Sequence, residues 1–289
     1  MYNNWFSSRH PGLVVILVDQ SGSMEEVIPG KDYSLAQMVS DAINVILNKF
    51  LYNYSWINDD GTDIIKRTTF FCIIGYGTDW YDANILLDDW IDNINKPLAP
   101  VKDLLKTELK DKWNNEASFV EVYKPPINGG GSPMASAFSL AKGFVEYWVE
   151  SHNDINAPAP LIIKITDGFC TDDQFELITN AKDIMSIDTP DGNPVIFNIH
   201  ISAFPNTPIN EFPHDSQISS DELYRLLYEA SSTISGDLAD GIYLLSEREL
   251  YGKGKLFVYN VADAMELFRY LHFALEFSFH HNRMIRVDI

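Results

Sequence analysis

Five short, almost unbroken apolar runs punctuate the chain, at Leu13 to Val18, Phe70 to Ile74, Leu161 to Ile165, Val195 to Ile201 and Leu256 to Tyr259. A strand with one face in water alternates apolar and polar residues, so runs like these mark strands buried on both faces. Between them lie segments with helical spacing: Leu35, Met38, Val39, Ala42, Ile43, Ile46 and Leu47, then Leu223, Leu226, Leu227 and Ala230. Further helices are expected over Met134 to Glu150, over Asp173 to Ile187 behind a cap at Thr171 or Asp172, and over Ala262 to Phe277. Strands alternating with helices build an α/β fold, a doubly wound, mainly parallel central sheet with helices on both faces. One short antiparallel edge strand is expected beside it.

A chain of 289 residues with 46% hydrophobic content can bury one large core, so a single domain over 1–289 is expected, with its core over 12–277. Two stretches exceed a minimal sheet-and-crossover plan. The longer, Gly77 to Ile127, has room for an extra strand near Asn84 to Leu87 and a helix over Val101 to Trp113, on which Lys102, Lys106 and Lys110 form a solvated stripe. The other, Ala203 to Gln217, is rich in Pro, Asn and Ser and is expected to be a surface loop.

With 21 basic and 41 acidic residues the net charge is −20, which repels phosphate backbones and anionic lipid, so neither nucleic acid nor membrane is an expected partner. No apolar run is long enough to span a bilayer, and Met1 to His10 lacks the pattern of a signal peptide. Cys72 and Cys170 show no CxxC spacing and suit reduced thiols. A cytoplasmic location is therefore expected.

The first run ends in Asp19-Gln20-Ser21-Gly22-Ser23-Met24. Open α/β sheets place ligands at the C-terminal ends of their strands. An aspartate there, followed at two and four residues by hydroxyls, aims three hard oxygens at one point, a set suited to Mg²⁺, with Mn²⁺ or Ca²⁺ as alternatives. Gly22 lets the turn fold back. The same residues also read as a helix cap.

Asp-x-Ser-Gly-Ser-Met after an apolar strand resembles the first segment of the metal-ion-dependent adhesion site of von Willebrand factor A (VWA) domains. Gly129-Gly130-Gly131-Ser132-Pro133-Met134 resembles the second segment, with Ser132 where threonine is usual. Leu161 to Ile165 running into Thr166-Asp167-Gly168 resembles the third. The resemblance implies a metal set of Asp19, Ser21, Ser23, Ser132 and Asp167. It implies direct contact from Ser21 and Ser23, contact through water from Asp19 and Asp167, and an exchanging Ser132. Gln20, Thr166 and Thr78 are candidates for orienting them. The implied function is metal-ion-dependent protein–protein interaction without catalysis, a partner's Asp or Glu completing the metal shell. The chain looks most like the intracellular prokaryotic, TerY-like type. That likeness implies an adaptor in a signalling, stress or phage-defence assembly, with a protein kinase, a PP2C-type phosphatase or an AAA+ ATPase as partner.

Rival readings fit less well. A structural subunit with a vestigial or purely stabilising metal site is the main alternative. A Mg²⁺-dependent phosphotransferase of the haloacid dehalogenase kind needs a second aspartate at position 21, which is serine. A serine hydrolase elbow needs a glycine before Gln20-Ser21, and the glycine run before Ser132 lacks the Lys-Ser/Thr of a P-loop. His280-His281 reads as tail, Asp172-Asp173 as a helix start, Asp88-Asp89 as a surface turn, and Trp148, Phe268 and Tyr270 as core.

Overall fold

A computed structural model of the chain describes residues 6–7, 9–57, 63–65, 69–78, 83–88, 130–152, 156–234, 239 and 254–279. The helix expected over Val101 to Trp113 with its lysines, His280-His281, Gly129 and Asp89 lie outside the described residues.

Each of the five apolar runs forms a strand. In chain order the elements are β1 (Gly12–Asp19), α1 (Leu35–Tyr54), β2 (Ser55–Ile57), β3 (Asp63–Ile65), β4 (Thr69–Tyr76), β5 (Ala83–Asp88) and α2 (Met134–Ser151). There follow β6 (Leu161–Thr166), α3 (Gln174–Ser186), β7 (Val195–Ile201), β8 (Asn210–Glu211), α4 (Glu222–Glu229), β9 (Phe257–Val261) and α5 (Ala264–Phe279). Seven strands pair in the order β5-β4-β1-β6-β7-β9-β8, and β2 and β3 form a separate antiparallel pair. From β4 to β9 every pairing is parallel, so all five long strands deliver their C-terminal ends to one edge.

The sheet has an antiparallel strand at each edge, where one was expected. β5 pairs antiparallel with β4 at the place anticipated for an extra strand, and Asp88 belongs to it rather than to a turn. The second, β8, lies inside the stretch expected to be a surface loop. Its two residues carry no periodicity, and three prolines around them mimic a loop. What holds β8 is tertiary: Phe212, at φ 48°, buries its ring in the core, and Arg269 donates to Glu211 Oε1 at 2.8 Å from α5.

Burial on both faces follows from alternation along each strand. Val14, Ile16 and Val18 of β1 face α1 and α5, whereas Leu13, Val15 and Leu17 face the side of α2, α3 and α4. Trp148 and Tyr270 are buried and Phe268 packs against the core, as expected. Cys72 is buried, Cys170 is half-buried, and both are free thiols. No helix among the described residues is long and apolar enough to cross a membrane.

Candidate metal site

The loop after β1 turns because its two ends are tied. Gln20 N–H donates to Tyr76 O at 2.7 Å, and Met24, closing a short 3-10 turn over Gly22–Glu25, drops its side chain into the core. The backbone between them therefore curls over the end of β1. Ser21 N–H donates to Asp19 Oδ1 at 2.9 Å, and the Ser21 and Ser23 hydroxyl oxygens lie 3.1 Å apart.

Two distant segments close on this turn. Ser132, just ahead of α2, donates its hydroxyl to Asp19 Oδ2 at 2.9 Å. Thr166, the last residue of β6, donates to the same oxygen, and Ser23 Oγ donates to Asp167 Oδ1 at 2.9 Å. All five predicted ligands thus join one hydrogen-bonded cluster of oxygens at the C-terminal edge of β1 and β6. Asp19 and Ser132 form its buried floor, Asp167 is half-buried, and Ser23 is exposed. Burial, and then the neighbouring Asp19 charge, push the Asp167 carboxyl up to about 7, against the pull of the Ser23 hydroxyl.

Several supporting residues escaped the sequence reading. Gly77, at φ 102°, follows β4 so tightly that a Cβ there would stand 2.6 Å from Gly131 O and 2.7 Å from Ser21 N. Gly130 N–H donates to Gly77 O at 2.6 Å, so the first and second segments are stapled across this glycine. A glycine after a buried strand was the available signal. Thr171 Oγ1 accepts from Ser132 N–H at 2.8 Å, and the Asp172 carboxylate accepts from Ala135 and Ser136 N–H at 3.0 and 2.9 Å. These two residues therefore fasten the second segment to the third. The cap of α3 is instead Asp173, which accepts from Phe175 and Glu176 N–H. The cap expected at Thr171 or Asp172 is one or two residues early because both side chains are used across the site. The first-turn N–H groups of α2 meet a carboxylate, the role a phosphate would take in a P-loop.

Of the three orienting candidates, Thr166 contacts Asp19, Gln20 is buried, and Thr78 is exposed. Among the described residues no group of three or more His, Cys, Asp or Glu gathers to hold a metal. The donor set is instead two carboxylates and three serine hydroxyls, hard oxygens of the kind that Mg²⁺ and Mn²⁺ select. An excess of buried negative charge with flexible hydroxyl donors fits a small dication.

No family profile matches the sequence, and comparison with curated proteins finds no match. Among solved structures the chain is similar to the manganese-loaded TRAP protein of Plasmodium vivax, at 15% identity and a TM-score of 0.37, covering 68% of this chain and 60% of that one. It is also similar to the PilB minor pilin of Streptococcus sanguinis, at 15% identity and a TM-score of 0.30, covering 55% of this chain and 30% of that one. The pilus adhesin RrgA of Streptococcus pneumoniae is similar at 18% identity and a TM-score of 0.30, covering 55% of this chain and 20% of that one. The likeness thus spans less than two thirds of each of these chains.

Proposed function

We infer that Asp19, Ser21, Ser23, Ser132 and Asp167 hold one divalent cation and that this VWA-type domain binds a protein through it. The observation that carries the reading is the convergence of three segments, the second and third lying more than a hundred residues beyond the first, into one cluster of oxygen donors at the C-terminal strand edge. Packing alone does not call for two carboxylates and three hydroxyls in one place, because each buried polar group costs free energy unless it is satisfied.

The cation would act as a Lewis acid that attracts an outside carboxylate. The chain's own residues hold the donors in place: Thr166 fixes one Asp19 oxygen, Ser21 N–H fixes the other, and Gly77 keeps Ser132 close to both. The partner would supply an Asp or Glu side chain, and the exposed ring of Phe169, two residues beyond Asp167, offers it an apolar contact. No step of catalysis is needed. Cytoplasmic adaptor work with a kinase, PP2C-type phosphatase or AAA+ ATPase, in signalling, stress or phage defence, rests on the sequence resemblance.

The test is thermal unfolding and calorimetry with Mg²⁺ and Mn²⁺ on the wild type and Asp19→Ala, followed by affinity capture of both from cells with Mg²⁺ or EDTA. Ions stabilise the wild type and leave Asp19→Ala unmoved, since an ion that binds only the folded state adds RT ln(1 + [L]/Kd). A captured protein lost with both the mutation and the chelator identifies the partner. Ion binding without any ion-dependent partner would favour a purely stabilising site, and no ion binding at all would sink the metal reading.

A further inference from the structure

Lys164 stands in the middle of β6, inside a run otherwise built of Leu, Ile and Thr, and it is 0% exposed. Its Nζ has no hydrogen-bond partner among the described residues and sits 5.8 Å from the centroid of the Tyr76 ring. Asn198, its register partner on β7, turns its amide nitrogen to the Leu227 carbonyl and the Ser231 hydroxyl instead. An unpaired buried ammonium is among the costliest placements a side chain can take. Met or Leu would fill the same space at lower cost, so packing does not account for it.

The surroundings give it a role. Lys164 precedes Thr166 by two residues on the same face of β6, Thr166 donates to Asp19 Oδ2, and Asp19 stands in register with Tyr76, whose ring lies beside the ammonium. The carboxylates whose charge favours the ammonium are Asp19 first, then Asp172 and Asp167. Two of these are carboxylates of the metal site, and Asp172 is engaged by the N–H groups of α2. Burial draws the ammonium pKa down to about 8, so it still carries its proton at neutral pH.

We propose that Lys164 is a fixed internal cation of the metal site, weakening its hold on a divalent ion and keeping the loaded site positive. The inference rests on the metal reading above and deepens it. With Asp172 taken up by the N–H groups of α2, and with Asp19 and Asp167 both ionised as a bound dication would hold them, the two carboxylates and the ammonium sum to one negative charge; the divalent ion turns that into one positive charge, and a single incoming carboxylate brings it to zero. Without the lysine the loaded site is already neutral, and the same carboxylate would leave a net negative charge in a poorly solvated place. The lysine thus trades ion affinity for an attraction felt by the partner.

The experiment is calorimetric titration of Mn²⁺ into the full chain as wild type, Lys164→Met, Lys164→Leu and Asp19→Ala, with water-proton relaxation by bound Mn²⁺ measured as acetate is added. Both Lys164 variants are expected to bind Mn²⁺ roughly tenfold or more tightly than the wild type. Acetate is expected to displace metal-bound water less readily from them. Equal or weaker Mn²⁺ affinity in folded variants, or an equal acetate response, overturns the proposal. So does failure of both variants to fold, which would make the lysine a structural necessity. A wild type that binds Mn²⁺ no better than Asp19→Ala overturns the metal reading itself, an outcome separable from the others.

Discussion

The two faces of the sheet are built from the same strands yet obey different rules. Towards α1 and α5, β6 presents Leu161, Ile163 and Ile165, and β7 presents Val195, Phe197, Ile199 and Ile201, all apolar to the end of the strand. On the opposite face the alternate residues turn polar as the strands approach the site edge: Ile162, Lys164 and Thr166 on β6, then Ile196, Asn198 and His200 on β7, all buried. β1 follows the second pattern, with Leu17 giving way to Asp19. One face holds the fold by packing, and the other carries charge and hydrogen bonding up to the oxygen cluster. His200 shows the cost of the second arrangement. Burial, then the nearby Lys164 charge, press its pKa down to about 3, so it stays neutral.

The contrast is broken most severely on the apolar face. Phe197, at 1% exposure, packs edge-on against Phe273 with centroids 6.3 Å apart and stacks on Phe212 at 6.1 Å. Phe197→Ala is expected to lose about 3–5 kcal/mol in urea unfolding while the remaining folded protein keeps its ion affinity. Lys164→Leu, across the sheet, should lose far less stability and change ion affinity instead. If the two substitutions destabilise equally, the division of labour between the faces is wrong.

Gly77→Ala tests the staple between segments. A methyl group there meets backbone atoms of both Gly131 and Ser21, and the positive φ adds strain, so a loss of about 1–3 kcal/mol is expected. Because the displaced atoms belong to the site, the midpoint of a Mn²⁺ titration should rise along with the loss of stability. A stability loss with unchanged ion affinity would mean that the second segment is not held by Gly77.

What the sequence discloses follows the range of the interactions. The five long strands were legible because burial on both faces leaves an unbroken apolar run, and Asp19, Ser21 and Ser23 were legible because they sit in one turn. Ser132 and Asp167 became legible through resemblance alone, since nothing local says that they meet. β8 was missed because two residues have no period and Phe212 anchors them from outside the strand. Lys164 was hidden by the run containing it: a strand counted as a unit reads as apolar, and only the alternation of its two faces isolates the charge. The α3 cap was misplaced because Thr171 and Asp172 make their bonds to residues more than thirty positions earlier in the chain.

That last pair yields the smallest expected effect on stability and the sharpest local readout. Asp172 holds Ala135 and Ser136 N–H and also accepts from the Cys170 thiol at 3.0 Å. Burial first, then this hydrogen bond, push the Cys170 pKa up to about 12, so the thiolate is scarce at neutral pH. Asp172→Ala should cost about 1 kcal/mol, as the loss of a helix cap does. It should also lower the Cys170 pKa and speed its alkylation by iodoacetamide at pH 8, while Cys72, buried in β4, stays silent in both proteins. Ser132 would lose part of its support, so Mn²⁺ affinity should fall by less than in Asp19→Ala. An alkylation rate equal to the wild type's would mean that Asp172 does not hold the thiol, and an unchanged stability and Mn²⁺ affinity would mean that its bonds to Ala135 and Ser136 do not link the second and third segments.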